Sequence, residues 1–220
     1  MKIDMHVHTK YSPDASSSLE KIIYMAKKKG LDGIAITDHN TTDAFQDIKK
    51  EKNFFVIRGE EVKILENNKK IGEVLVYFIE DTIKPGSVEE VFDQIKKQDA
   101  FVSAAHPFGH YYIDAPQLEK YLKKVDALEV ANGISLFQSI NKKAFDYAKH
   151  FKKAMTAGSD AHAAFGIGSA YVEAEASSLS EFRKKLEKGR MNVVWKGCCP
   201  IQMFLIAAFN KRIKFIFQRF

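Results

Sequence analysis

Lys2-Ile3-Asp4-Met5-His6-Val7-His8 opens the chain, and its reading decides the fold. Lys2 to Val7 has the apolar content of a buried strand. Residues two apart on a strand share a face. His6 and His8 are therefore expected to project together, with Asp4 in line behind them. Ile3, Met5 and Val7 are expected on the opposite, packed side. Two imidazoles at a strand's end are either a pair of metal ligands or a coincidence, and this stretch alone leaves both readings open.

Downstream, short apolar strands and amphipathic helices alternate. Ser17 and Glu20 have the spacing of a capping box for a helix running to Lys29, with Gly30 just past its end. Gly33 to Thr37 reads as a strand ending in Asp38-His39-Asn40, Thr42 to Lys50 as a helix, and Phe54 to Ile57 as a strand followed by Gly59-Glu60-Glu61. Residues 61 to 80 have the form of a hairpin, with Val62–Leu65 and Val74–Ile79 flanking Asn67-Asn68-Lys69-Lys70. A helix over 87 to 97 then precedes the strand Ala100–Ala104, which ends in His106-Pro107-Phe108-Gly109. Further elements are expected at 116–123 (helix), 125–130 (strand, ending near Asn132), 136–151 (helix), 154–156 (strand), 171–172 (strand), 179–188 (helix) and 191–195 (extended). Strands alternating with helices predict a parallel sheet with helices outside it. Seven or so strands in 220 residues favour a distorted seven-stranded (β/α)7 TIM-like barrel over a doubly wound sheet.

The polar residues gather at the predicted strand ends: His6 and His8, Asp14, His39, Glu61, His106, and Asp160 with His162. Taken singly, each has an ordinary explanation. Asp14 and Asp160 suit turns, His39 suits a satisfied loop histidine, and Glu60-Glu61 suits surface charge. In a barrel, however, the C-terminal strand ends converge on one mouth. Five of the chain's seven histidines are in this group. A mixed imidazole and carboxylate set favours Zn, Mn or Fe over a structural cysteine site. Eight donors exceed what one tetrahedral ion needs, so two to three divalent ions are expected.

Five ordered motifs carry a resemblance: His6-x-His8, Thr37-Asp38-His39, Gly59-Glu60-Glu61, Ala105-His106-Pro107-Phe108 and Gly158-Ser159-Asp160-Ala161-His162. Over residues 2 to about 195 the chain resembles the PHP (polymerase and histidinol phosphatase) family. The resemblance implies a distorted seven-stranded barrel and a two- or three-metal site that hydrolyses phosphate esters with a metal-activated hydroxide. His6, His8, Glu61 and Asp160 would surround the first metal and carry the catalysis. Glu61 would bridge to a second metal bound by His106. Asp14, His39 and His162 would hold a third. Glu61 is chosen over Glu60 because the family's glutamate stands two residues after the glycine. Asn132 stands where a further histidine for the second metal would be expected. Asp4 and Asp38 would orient imidazoles. His110 is a speculative general acid, and Lys10 and Tyr11 are candidate substrate contacts, each with a plain surface reading beside it.

The whole-chain properties fit these expectations. The chain is 45% apolar and 28% charged, which is globular and not disordered, with a formal charge of +6 that suits acidic partners or a lysine-rich solvated surface. Cys198-Cys199 imply no disulfide framework, and the start shows no basic segment leading into an apolar run, so a cytoplasmic protein is expected. Residues 1–195 are read as the domain. Residues 196–220, basic and aromatic, are read as a helix packed on the barrel, with an oligomer contact or a segment lying on a membrane or nucleic acid as the other readings. Ile201 to Phe209 is too short to span a bilayer. The expected partner is a small phosphorylated metabolite or nucleotide. The alternatives are a 5'-3' exoribonuclease or other nuclease acting on short oligonucleotides, and a non-catalytic metal-binding regulatory module. No stable protein partner is expected.

Overall fold

A computed structural model describes residues 1–49, 51–109 and 115–197. His110, the Cys198-Cys199 pair and the basic-aromatic residues from 198 onward lie outside the described residues. The elements are β1 Lys2–Val7, α1 Leu19–Lys28, β2 Gly33–Ile36, β3 Phe55–Glu66, β4 Lys69–Tyr77, α2 Val88–Lys97, β5 Phe101–Ala104, α3 Ala115–Leu122, β6 Ala127–Asn132, α4 Gln138–His150, β7 Ala154–Gly158, β8 Ala170–Glu173, α5 Leu179–Glu187 and β9 Asn192–Trp195.

The described strands form one sheet of nine, in the order β7-β6-β5-β4-β3-β2-β1-β8-β9. The expectation of a seven-stranded parallel barrel is corrected in two places. β4 pairs antiparallel with both β3 and β5, and the β8–β9 pair joins β1 antiparallel. Strands β1, β2, β3, β5, β6 and β7 still run the same way, so their C-terminal ends share one mouth. The sheet nearly closes there: His8 N–H donates to Ala161 O at 3.0 Å, and Asp160 N–H to His6 O at 2.8 Å.

The strand expected at 54–57 and the first arm of the hairpin are one continuous strand, β3, with Glu60 and Glu61 in its middle. The turn is tighter than expected. Asn67 and Asn68 alone carry it, both at positive φ (51° and 59°), as a two-residue hairpin loop requires. Ser18, not Ser17, caps α1, accepting from Lys21 N–H; Ser17 Oγ accepts from Ala164 N–H. The helix expected over 42–50 is only a 3-10 turn, Asp43–Asp47; the Thr42 hydroxyl contacts that of Thr82 and does not cap the turn.

The apolar side chains form three packed groups. Val62, Val74, Val76, Leu128 and Val130 pack outward against α2, α3 and α4. Val7, Ile34 and Ile36 pack against α1. Ile3, Met5, Ala35, Ile57, Leu75 and Tyr77 line the inside. The strict alternation expected of β1 fails at a bulge: between Asp4 and Val7 three steps along β1 match two along β2. Met5 and His6 therefore both turn inward, an effect bulges have beside functional sites. A second bulge in β6, between Glu129 and Ala131, brings Glu129 and Asn132 to the same side.

The seam between β1 and β7 is too narrow for a side chain. A Cβ on Gly158 would stand 2.2 Å from His6 Cβ and 2.4 Å from His6 N. Gly158→Ala should therefore destabilise the fold by about 1–3 kcal/mol, the usual cost of overpacking. Chemical denaturation read by circular dichroism checks this, and a wild-type midpoint in the variant would contradict the seam.

Candidate metal centre

The mouth is built from strand ends whose backbone turns sharply. His106 (φ 26°) and Asp160 (φ 52°) both occupy the left-handed region, which costs a non-glycine residue on the order of 1–3 kcal/mol unless its surroundings enforce it. Each is enforced by hydrogen bonds. His106 N–H donates to Glu129 Oε2 at 2.8 Å, and Asp160 N–H is held by the β1 backbone.

All eight side chains expected at the site come together. Glu61 Oε2 lies 3.4 Å from both His6 Nε2 and His8 Nε2 and 3.0 Å from His39 Nδ1. Its other oxygen lies 2.8 Å from His106 Nε2. Asp160 Oδ1 stands 3.6 and 3.2 Å from the same nitrogens of His6 and His8. Asp14 Oδ2 lies 3.5 Å from His39 Nε2 and 3.4 Å from His162 Nε2. Four sets of donors each fit within 4.8 Å: His6, His8 and Asp160; His6, Glu61 and His106; His8, His39 and His162; and His39, Glu61 and Glu73.

The tautomers follow from the outer partners. His6 Nδ1 donates to Glu129 Oε1 at 3.0 Å. Ser12 Oγ gives its proton to Asp38 Oδ1 at 2.6 Å, so at 3.1 Å it accepts from His8 Nδ1. His162 Nδ1 faces the Asp160 carbonyl at 2.9 Å and must donate to it. Each of these rings thus uses Nδ1 to donate outward and turns Nε2 inward. His6 Nε2 and His8 Nε2 are 3.0 Å apart. At that distance the two nitrogens share one proton, which a bound cation would displace. Asp14 Oδ1 and Glu61 Oε2 are buried and accept no hydrogen bond from the described residues. This donor chemistry fits divalent ions.

Charge is concentrated accordingly. Burial alone would lower the His6 imidazole, but Asp160, Glu129 and Glu61 outweigh it and hold it well above its ordinary value. Burial, with His162 and His39 adding to it, pushes His8 down to about 3. Burial would raise Glu61, yet His39 and His6 keep it well below the usual carboxylate range. Its neighbour Glu60 faces the outer helical layer. Burial, opposed only by the Ile83 N–H, pushes Glu60 up to about 8. Adjacent glutamates thus carry different charge at neutral pH because the strand turns them to different faces.

A family model described as PHP-associated matches residues 138–191. An uncharacterised protein of Methanocaldococcus jannaschii is 32% identical over 184 residues, covering 79% of this chain and 70% of its own length. The chain belongs to the PHP family. A second uncharacterised protein of the same organism is 38% identical over 123 residues, covering 50% of this chain and 69% of its own. Two solved structures share the PHP fold. One is a two-domain protein of Bacteroides vulgatus containing a predicted PHP-like metal-dependent phosphoesterase (TM-score 0.68, 22% identity, 89% of this chain and 64% of that one). The other is the lesion-specific endonuclease EndoQ of Pyrococcus furiosus (TM-score 0.62, 18% identity, 87% of this chain and 57% of that one). This chain therefore spans less than two thirds of either.

Some expectations for this PHP site change. Asp4 orients no imidazole. Its carboxylate ties the seam, accepting from the N–H groups of Ser159, Gly168 and His6. Asp38 acts on His8 through Ser12, and also accepts from Thr9. Lys10 and Tyr11 are bound to Asp47, and Gln46 donates to the Tyr11 hydroxyl, so both are tied within their own rim. Asn132 is no vacant histidine position: its amide bridges Glu129 and Asp160, both at 3.1 Å. Glu129 was not singled out by the sequence. It is a lone glutamate in an apolar strand, and such a residue, inward-facing and buried, is the signal that would have found it.

Glu129→Gln should weaken metal binding about 10–100-fold with the fold retained, because outer partners of metal-bound histidines carry that much affinity. Metal titration followed by calorimetry measures it, and unchanged affinity would remove Glu129 from the site. Metal binding should also release protons. His6, His39, His106 and His162 are all held above their ordinary values, burial being outweighed in each by nearby carboxylates. A metal takes only the unprotonated nitrogen, so apparent affinity should rise as pH rises through the imidazole range. Titration in two buffers of different ionisation enthalpy counts the protons, and a count of zero contradicts the arrangement.

Proposed function

We propose that this chain is a metal-dependent phosphoesterase that hydrolyses the ester of a small phosphorylated metabolite or nucleotide. The observation that carries the reading is the convergence of imidazole nitrogens and carboxylate oxygens on one buried point at the barrel mouth. His6, His8, Glu61 and Asp160 would hold the first of two to three divalent ions, Glu61 with His106 a second, and Asp14, His39 and His162 a third. Bound there, such ions supply a water of lowered pKa and neutralise charge on the phosphoryl group. The chain's own part is to fix these donors. Glu129 holds His6, Ser12 holds His8, and the Asp160 carbonyl holds His162, so each ring presents the same nitrogen. The surrounding carboxylates reject an anion when no cation is bound, which makes activity depend on metal. The charge of +6 and the shared fold with an endonuclease support a second reading, cleavage of short oligonucleotides.

Turnover of 4-nitrophenyl phosphate with added Mn should vanish on chelation. It should also fall to background in His8→Ala and Asp160→Ala, together with bound metal. Full turnover by a metal-free Asp160→Ala variant would sink the scheme. A panel of nucleoside monophosphates, histidinol phosphate and short RNAs then separates the two substrate classes. Among the described residues no helix is long and apolar enough to cross a membrane, so the assay needs no lipid.

A further inference from the structure

The hairpin of β3 and β4 continues past the mouth. β3 runs five residues beyond Glu61, to Glu66. Residues 61 and 63 share a strand face, about 6–7 Å apart. The β2 end fixes this register: Asn40 N–H donates to Glu61 O at 2.9 Å, and Asn40 Oδ1 accepts from Lys63 N–H at 3.0 Å. Lys63 is the cross-strand partner of Glu73. Glu73 is 3% exposed, and one of its oxygens lies within 4.8 Å of donor atoms of both His39 and Glu61. Lys70 Nζ sits 3.0 Å from Glu73 Oε2. A buried carboxylate therefore anchors one ammonium beside the metal centre, with a second lysine alongside. Two other lysines near the mouth and hairpin are paired with carboxylates, Lys10 with Asp47 and Lys120 with Glu66, while Lys69 stands exposed at the start of β4. Half-buried Lys63 has no carboxylate within 4.0 Å among the described residues. The three groups sum to one uncompensated positive charge, displaced outward from the metal donors along the strand.

We infer that Lys63, with Lys70 held by Glu73, forms a clamp for a second anionic group of the substrate, outboard of the phosphoryl group at the metals. This inference rests on the phosphoesterase reading and narrows it to phosphate esters that carry another phosphate or carboxylate. A phosphoryl group at the metal donors has its charge met by the ions. A lysine two residues further along the strand is then placed for the next anion. The ion pair with Glu73 restrains the exposed Lys70 side chain, which lowers the ordering cost of binding.

The test compares phenyl phosphate with 4-carboxyphenyl phosphate and 1,4-phenylene bisphosphate, using the Mn-loaded full chain and Lys63→Met, Lys63→Arg and Lys70→Met. Each ester is compared between wild type and variant, so leaving-group reactivity cancels. Lys63→Met should lose about tenfold in kcat/KM on the doubly anionic esters, the worth of one charge-assisted hydrogen bond, and mostly in KM. Phenyl phosphate should stay within about twofold, and Lys63→Arg should recover most of the loss. Comparison of the carboxylate with the second phosphate tells which anion the clamp prefers. Equal losses on all three esters, or none, overturn the clamp. Binding of 4-phosphonobenzoate against phenylphosphonate needs no turnover. A preference for the former that Lys63→Met abolishes supports the clamp, and an unchanged preference overturns it. Metal-loaded wild type that hydrolyses none of the esters overturns the phosphoesterase reading instead, so the two failures are distinct.

Discussion

His6 Nε2 and His8 Nε2 face each other at 3.0 Å, a gap that takes one proton or one cation, and the rest of the mouth is arranged around that pair. Neither ring is free to turn away. Glu129 fixes His6 through Nδ1, and Ser12, itself committed to Asp38, fixes His8 the same way. Both rings are fully buried, so water does not relieve the crowding. Glu61 and Asp160 supply negative charge on either side. Without a cation, protons shared among these donors hold the arrangement together; with one, the same nitrogens and oxygens are already in place to bind it.

Holding the rings this way requires departures from regular sheet. The β1 bulge lets His6 join Met5 on the inner side, and the β6 bulge lets Glu129 and Asn132 act together. Gly158 lets β7 approach His6 within a distance no side chain allows, which sets His6 and Asp160 across the seam. The left-handed backbone at His106 and Asp160 belongs to the same set of local costs, borne where ligand direction matters more than regularity.

Much of this was legible in the sequence. β1 was bounded correctly, and the polar strand ends named all eight converging side chains, because a ligand at a strand terminus leaves a mark that needs no knowledge of packing. Period-two reasoning misassigned Asp4 and Met5, because one inserted residue reverses the faces and no local propensity signals it. Glu129 was hidden because its neighbours Leu128 and Val130 are plain core residues. The segments of β4, β8 and β9 were all marked in the sequence, but a barrel of seven strands left no place in the sheet for the hairpin arm and the β8–β9 pair. The choice of Glu61 over Glu60 came from the motif. The structure supplies its physical counterpart, opposite faces of β3 with the carboxyl of Glu60 pushed up by burial and that of Glu61 held down by histidines.

The seam between β1 and β7 also has a consequence for how the molecule forms. Most strand pairs join neighbours in the sequence, and the hairpin is the most local of them. The contacts of His6 and His8 with Asp160 span some 150 residues, and closing so long a loop is slow and entropically costly. Asp160 and His162 reach His6, His8 and Asp14 only across that closure. The metal centre therefore exists only once the ends of the chain have met, and a bound ion acts as a clasp on the last event of folding. Metal occupancy and barrel closure are then one thermodynamic quantity, so that loosening the seam and removing the ion have the same effect.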